Sequence, residues 1–246
     1  MIKLSVNLNK IATLRNSRGG AVPSVLDATR VCVAAGAAGI TVHPRADARH
    51  ITDRDVRDVA VLLRDLGAGT EYNIEGDPRP DLVALVHALR PTQCTLVPVR
   101  PGEITSQAGW PADTPRGAIA GVVRELQNAG IRVSLFVEAD EAPIRWAEDV
   151  GADRIELYTE PFARAFERGA ADADTSFRQY VAAAELAHTL GLGINAGHDL
   201  DLNNLVLFRT LPHLEEVSIG HALISRAVFV GLDGSVRDYL TVLGAS

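Results

Sequence analysis

The sequence has no apolar run that reaches the roughly 18 residues a membrane-spanning helix needs. That absence argues against a membrane partner. Only two cysteines are present, Cys32 and Cys94, so a disulfide scaffold is excluded. Both lie in apolar runs and read as buried free thiols, which fits a cytoplasmic location. The opening MIKLSVNLNK is too short in its apolar part for a signal peptide and reads as an N-terminal strand. Basic residues are not in excess: the formal net charge is −7, which argues against a nucleic-acid partner. Anionic small molecules stay open, because a few local arginines can govern a pocket. Lysine is nearly missing; of the 24 lysines and arginines only Lys3 and Lys10 are lysine. No G-x-G-x-x-G follows the first strand-like segment, which disfavours an open dinucleotide-binding sheet.

What the sequence does have is a rhythm. Its 246 residues, 47% of them apolar, suffice for a sizeable core in one domain spanning 1–246. Short runs rich in Val, Ile, Leu and Thr predict strands at 3–7, 39–43, 71–74, 94–98, 132–137, 154–158, 193–195 and 216–219. Helical spacing of apolar residues predicts helices at 23–35, 52–66, 119–129, 141–150 and 177–190. Thr52 is placed to cap the second of these, with acidic residues in its first turn. The phrases AAGAAGITV, NAGIRVSL, DVGADRIEL and TLGLGIN each mark a tight turn from helix to strand. Such alternation implies a parallel sheet, and about eight units in this length fit closure. The expected class is α/β, a single (β/α)8 TIM barrel. Two segments, 99–114 after the fourth strand and 160–175 after the sixth, read as long lid or binding loops.

In a barrel, residues just after the strands converge on one mouth. Asn7, Asn9 and Lys10 follow the first strand; His43, Arg45 and His50 the second; Glu75 the third; Glu138 the fifth; Asn195 and His198 the seventh; Gly220 and His221 the eighth. Four of the seven histidines fall there. Histidines grouped with a glutamate suit repeated proton transfers near neutral pH, and partial burial would make Glu75 a base. A salt bridge to Arg45 is the structural alternative for Glu75, and Glu138 reads equally as structural or functional. The run Ile219-Gly220-His221-Ala222 is a strand end, a glycine and a helix start, which suits a phosphate. Arg18 and Arg45 are candidate further anion ligands.

These residues sit in segments that resemble the pyridoxine 5'-phosphate synthase family: VNLNKIATLRNSRGG, GITVHPRADARHITDRDV, NIEG, LVPVRPGEITS, GIRVSLFVEAD, INAGH and SIGHALISRAV. They run the length of the chain, and IATLRN and HITDRDV are the most specific. The resemblance implies a TIM barrel with additional helices that assembles as a homo-oligomer, typically an octamer. It implies condensation of 3-amino-2-oxopropyl phosphate with 1-deoxy-D-xylulose 5-phosphate to pyridoxine 5'-phosphate, phosphate and water, in vitamin B6 biosynthesis, without a metal or organic cofactor. By the same resemblance His43 and Glu75 are proton acceptors and His198 a proton donor. Asn7, Arg18, Gly220 and His221 fall where the amino-ketone phosphate binds. Arg45, His50 and Thr105 fall where the deoxyxylulose phosphate binds, Thr105 on the loop after the fourth strand.

Three positions depart from the family pattern. The motif Asn-x-Asp-His is here Asn7-Leu8-Asn9-Lys10, at the sugar-phosphate site, and Asp199 replaces a glycine. Lys10 can hold a carbonyl or phosphate as a compact cation, form a Schiff base, or simply face solvent. Asp199 can pair with an ammonium or repel a phosphate. A related enzyme using another phosphorylated ketone is therefore the alternative within the family. Outside it stand a zinc-dependent barrel hydrolase built on His43, His198, His221 and Glu75, disfavoured by the lack of an H-x-H pair on the first strand, and a non-catalytic sensor of phosphate ligands.

Overall fold

The structure is a computed structural model and describes residues 1–98 and 107–244. Eight strands run β1 Lys3–Asn7, β2 Gly39–Val42, β3 Glu71–Gly76, β4 Gln93–Leu96, β5 Arg132–Val137, β6 Arg154–Tyr158, β7 Gly193–Gly197 and β8 Leu214–Ile219. Each pairs in parallel with the next, and β8 pairs with β1, so the sheet closes. This is the expected barrel. Strands three, seven and eight are longer than their sequence pattern predicts, because glycine and glutamate at their ends obscure the apolar alternation.

Each strand is buried on both faces, but the faces differ. Leu4, Val6, Ile40, Val42, Ile74, Leu96, Val133, Leu135, Ile155, Leu157 and Val217 share one core cluster with the surrounding helices. The alternate positions, including Ser5, Thr41, Asn73, Gln93, Thr95, Glu156, Asn195 and Glu216, are buried and polar. They hydrogen-bond to one another, and some of the bonds link strands that are not neighbours. Ser5 and Thr41 hydroxyls lie 2.7 Å apart, Thr95 Oγ1 donates to Asn73 at 3.1 Å, and Asn195 Nδ2 donates to Gln93 and Glu216 at 3.4 Å each. Side chains that satisfy each other across the barrel axis are what allows a polar interior to stay buried.

Eleven helices lie among the described residues: α1 Asn9–Asn16, α2 Val25–Ala34, α3 Asp53–Leu66, α4 Pro80–Leu89, α5 Arg116–Asn128, α6 Glu141–Asp149, α7 Glu160–Arg168, α8 Ala170–Thr189, α9 Leu205–Phe208, α10 His221–Val230 and α11 Leu232–Leu243. The additional ones are α1 and α7, each inserted ahead of a returning helix, and the second of the pair α10–α11. The cap expected at Thr52 is a full capping box with Asp55, and Gly67 ends α3 with φ +60.

One expectation is corrected. Residues 160–175 are not a structureless loop but α7 and the first turns of α8. Pro161 suits the first turn, and Arg164 pairs with Glu160 and Glu167 one turn to either side. Phe162 is buried and packs on Phe177, Tyr180 and Phe208 at 5.0–6.0 Å between ring centroids. Of the other expected loop, residues 99–106 lie outside the described residues. Its final part is fixed: Trp110 N donates to Phe136 O and Trp110 Nε1 to Leu96 O, both at 2.8 Å. A side chain at Gly109 would meet the Val137 backbone at 2.4 Å, so only glycine allows this approach. No helix among the described residues is long and apolar enough to cross a membrane.

Candidate active site

The C-terminal ends of the strands surround a cavity of about 350 Å³. Asn7, Asn9, Lys10, His43, Arg45, His50, Glu75, His198, Asp199, Gly220 and His221 all line it. The strand-end reading thus brings together residues spread over more than 200 positions. Four predicted residues are not in this lining. Arg18 is exposed on the turn after α1, and Thr105 lies outside the described residues. Asn195 points into the barrel interior, where it bonds Arg154, Gln93 and Glu216. Glu138 accepts a hydrogen bond from Gly109 N at 3.1 Å and so anchors the loop leading into α5.

The motif around Asn7 to Asn16 explains how the β1 and β2 ends are held. Asn7 Oδ1 accepts from Asn9 N at 3.0 Å, and Asn7 Nδ2 donates to Glu75 Oε2 at 3.3 Å. Asn9 Oδ1 in turn accepts from His43 N at 2.9 Å. Further along α1, Arg15 makes a two-pronged pair with Asp55 and donates to His50 O, which Asn16 also contacts. IATLRN and HITDRDV are therefore two halves of one clamp that sets His50.

His43 is buried, and its Nε2 has no hydrogen-bond partner among the described residues. Its Nδ1 lies 3.8 Å from Glu75 Oε2. Burial, with His50, Arg45 and Arg79 nearby, pushes its pKa down to about 3, so the ring is neutral at pH 7. His50 is pushed down to about 4 by burial, Arg45, Lys10 and Arg49. Its Nδ1 accepts from Ile51 N at 2.9 Å, which places any ring hydrogen on Nε2. Glu75 is pushed well above the usual carboxylate range by burial and by the carboxyl groups of Glu156 and Glu216.

Reading by strand ends missed Glu156. It lines the cavity from inside β6, is buried, and is raised to about 8 by burial and by Glu216. A side chain at Gly197 would meet its Oε1 at 2.3 Å, so glycine there leaves room for the carboxyl group. The signal was available: a glutamate in the middle of the apolar run R-I-E-L-Y, two positions before the strand end, shares the inward face with Tyr158. Val97, Phe136 and Tyr158 form a small apolar cluster of their own, to which Val97 and Phe136 contribute cavity wall.

At the β7 end, His198 Nδ1 lies 3.0 Å from Asp199 Oδ2, and the ring stands edge-on to Tyr158 at 5.0 Å. Asp199 is held below the usual carboxylate range, chiefly by that hydrogen bond. At the β8 end, Gly220 precedes α10, whose first-turn backbone N–H groups lie beside the cavity with no side-chain cap among the described residues. His43, His198, His221 and Glu75 do not form a cluster arranged for a metal; no group of three or more His, Cys, Asp or Glu among the described residues does.

Comparison with known proteins agrees with this geometry. The family model described as "Pyridoxal phosphate biosynthesis protein PdxJ" matches residues 4–245. A pyridoxine 5'-phosphate synthase of Bacteroides fragilis is 50% identical over 244 residues, covering 99% of this chain and 100% of the relative. One from Leptospira biflexa is 49% identical over 253 residues, covering 99% and 97%. Among solved structures, phosphoribosyl anthranilate isomerase from Thermotoga maritima superposes with a TM-score of 0.62 at 11% identity, each chain covered in full (100%). The 3-hexulose-6-phosphate synthase of Salmonella typhimurium gives 0.64 at 13%, again with 100% coverage of both. At such identity these two share the fold alone. The relatives match in sequence end to end, and the chain belongs to the PdxJ family of pyridoxal phosphate biosynthesis proteins.

Proposed function

We propose that the chain is a pyridoxine 5'-phosphate synthase that condenses 3-amino-2-oxopropyl phosphate with 1-deoxy-D-xylulose 5-phosphate. The observation that carries this reading is one cavity with anion-binding groups on two sides and acid–base groups in the same lining. Lys10, Arg45 and His50 lie on the β1–β2 side, the start of α10 on the β8 side, and His43, Glu75 and His198 complete the wall. Two phosphorylated substrates need two anion sites. Joining them needs an amine to add to a ketone, water to leave as C=N forms, a phosphate to leave, and the ring to close and aromatise. Each step moves protons, and none requires a metal or a redox cofactor.

The residues divide this work by environment. His43 is neutral at pH 7 and its Nε2 has no partner among the described residues, so it can take a proton from substrate. Glu75 has a raised affinity for protons, and a substrate ammonium or iminium placed beside it favours the ionised form that can accept one. His198, hydrogen-bonded to Asp199, is the proton donor. Asn7 orients Glu75 and closes the amino-ketone side with Gly220 and His221. Arg18 and Thr105 remain proposed phosphate-side ligands by family resemblance. The same reading assigns one domain over 1–246, a cytoplasmic location and a homo-oligomer, by resemblance an octamer. Val228, Phe229 and Val230 leave an apolar patch at the end of α10, with Phe229 89% exposed, which a second copy would cover.

The test is to mix purified protein with deoxyxylulose phosphate and freshly generated amino-ketone phosphate, following pyridoxine phosphate by chromatography and phosphate release together. We expect both products at equal rates, with Glu75→Gln lowering turnover at least a hundredfold. No product from folded protein would sink the assignment and direct the search to another phosphorylated ketone. Light scattering of the same preparation checks the oligomer, and a monomer would remove it.

A further inference from the structure

The turn that carries His198 is built at a local energetic cost. His198 and Asp199 adopt φ of +83 and +60, a left-handed pair of non-glycine residues. A non-glycine residue in this region is strained, less so for aspartate, and persists only where its surroundings fix it. Here they do. Thr159, buried at the end of β6, donates through Oγ1 to Gly197 O at 2.8 Å and also to His198 O. Asn204 Nδ2 donates to Asp199 O at 3.0 Å, and Asn204 is itself locked to Asp201 by two bonds at 2.9 Å. The backbone is thereby set so that the Asp199 side chain meets the neighbouring imidazole.

A glycine would occupy φ +60 without that cost, so the side chain at 199 needs its own explanation. Its contact supplies one. Among the described residues the only ion pair Asp199 makes is with His198 Nδ1. An ionised carboxylate accepts and cannot donate, so the hydrogen between them sits on Nδ1. Arg164 on α7 and His221 on α10 also face the carboxylate and favour its ionised form, while Tyr158, whose hydroxyl lies near Glu160 and Glu138, stands edge-on to the ring.

We propose that Asp199 is a positioning residue: it fixes His198 in the tautomer with hydrogen on Nδ1, leaving Nε2 as the atom that takes up and delivers protons. A free imidazole favours hydrogen on Nε2, so without Asp199 the neutral ring would carry its hydrogen there, leaving Nε2 unable to take up a proton, and would lose its fixed orientation. The kinetic part of this inference rests on the proposed synthase reaction; the tautomer part does not.

The experiment is ¹⁵N NMR of histidine-labelled, ligand-free protein above the histidine titration range, with His198 assigned by its loss in His198→Gln. Wild type should show hydrogen on Nδ1 of His198. Asp199→Asn and Asp199→Gly should shift the ring toward hydrogen on Nε2. In steady-state turnover, Asp199→Asn should lower kcat at least tenfold with KM for both substrates within threefold. Hydrogen on Nε2 in the wild type, or an unchanged Nδ1 tautomer in both variants, would overturn the proposal. So would a kcat within twofold of wild type in an Asp199→Asn protein whose tautomer has switched. Absence of turnover by the wild type would strike the synthase reading and its kinetic consequence, while the tautomer measurement still decides the structural claim.

Discussion

Lys10 and Asn9 occupy adjacent positions on the first turn of α1 yet do different jobs. Asn9 spends its side-chain oxygen on the backbone of His43, so it acts through the β2 end. Lys10 lines the cavity and lies close enough to His50 to help hold that ring neutral. Replacing Lys10 by methionine keeps most of the stem and removes the cation. The His50 pKa should then rise from about 4, because one of the charges opposing its protonation is gone. An NMR titration of His50 would read the shift directly, and no upward movement would show that Lys10 is too screened to act. Loss of one charge-assisted hydrogen bond to a phosphate is worth roughly 1.5–3 kcal/mol, so KM for the sugar phosphate should rise at least tenfold. Lys10→Arg should keep most of the binding if the role is that of a cation; a collapse of turnover in that variant would favour the Schiff-base alternative.

At the scale of elements, what was legible in the sequence depended on whether a residue's partners lie in its own segment. Strand positions and the long α3 could be read because their apolar spacing and the Thr52 cap are local. The apolar face of α7 is only Phe162 and Phe166 with small residues, and it makes sense only against Phe177, Tyr180 and Phe208, which arrive from other elements. Glu156 was missed for the opposite reason: a charge inside a strand reads as a break in the pattern unless the barrel's interior is known to be polar. The clamp between α1 and α3 is a similar long-range feature. Arg15 and Asp55 are both mostly buried, with side-chain exposures of 14% and 12%. Arg15→Ala leaves Asp55 without its cation and frees the carbonyl of His50 from one of its two ties. The expected destabilisation is about 1–3 kcal/mol, or several degrees in Tm for a chain of this size. KM for the sugar phosphate should also rise through the loosened His50. A lower Tm with unchanged KM would mean that the clamp serves stability alone.

For the molecule as a whole, the polar barrel interior links folding to proton binding. Glu156 and Glu216 hold their protons up to about 8 and about 7, whereas an unfolded glutamate releases its proton near 4.5. Between those values the folded state binds more protons than the unfolded one. Their contribution to stability is therefore complete below about 4.5 and is lost as pH rises through 7 and 8. His43 and His50 act the other way. Folded, they refuse a proton until about 3 and about 4, while unfolded histidine accepts one near 6.5. Their contribution is present above about 6.5 and lost as pH falls toward 3. Between roughly pH 4.5 and 6.5 the two effects oppose each other, and above that window the carboxyl groups dominate this pair of terms. Glu156→Gln retains an oxygen to accept from Thr95 and removes the titration. Its Tm relative to wild type should therefore climb from pH 5 to pH 8.5, since a single such carboxyl group costs at most about 1.4 kcal/mol per pH unit across its window. Each kcal/mol is worth about 2–4 °C in a chain of this length. Scanning calorimetry of both proteins at pH 5, 6.5 and 8.5 measures the difference directly. A constant Tm gap across that range would mean that the interior carboxyl groups ionise as they do in water, and that the buried polar network holds no protons of its own at neutral pH.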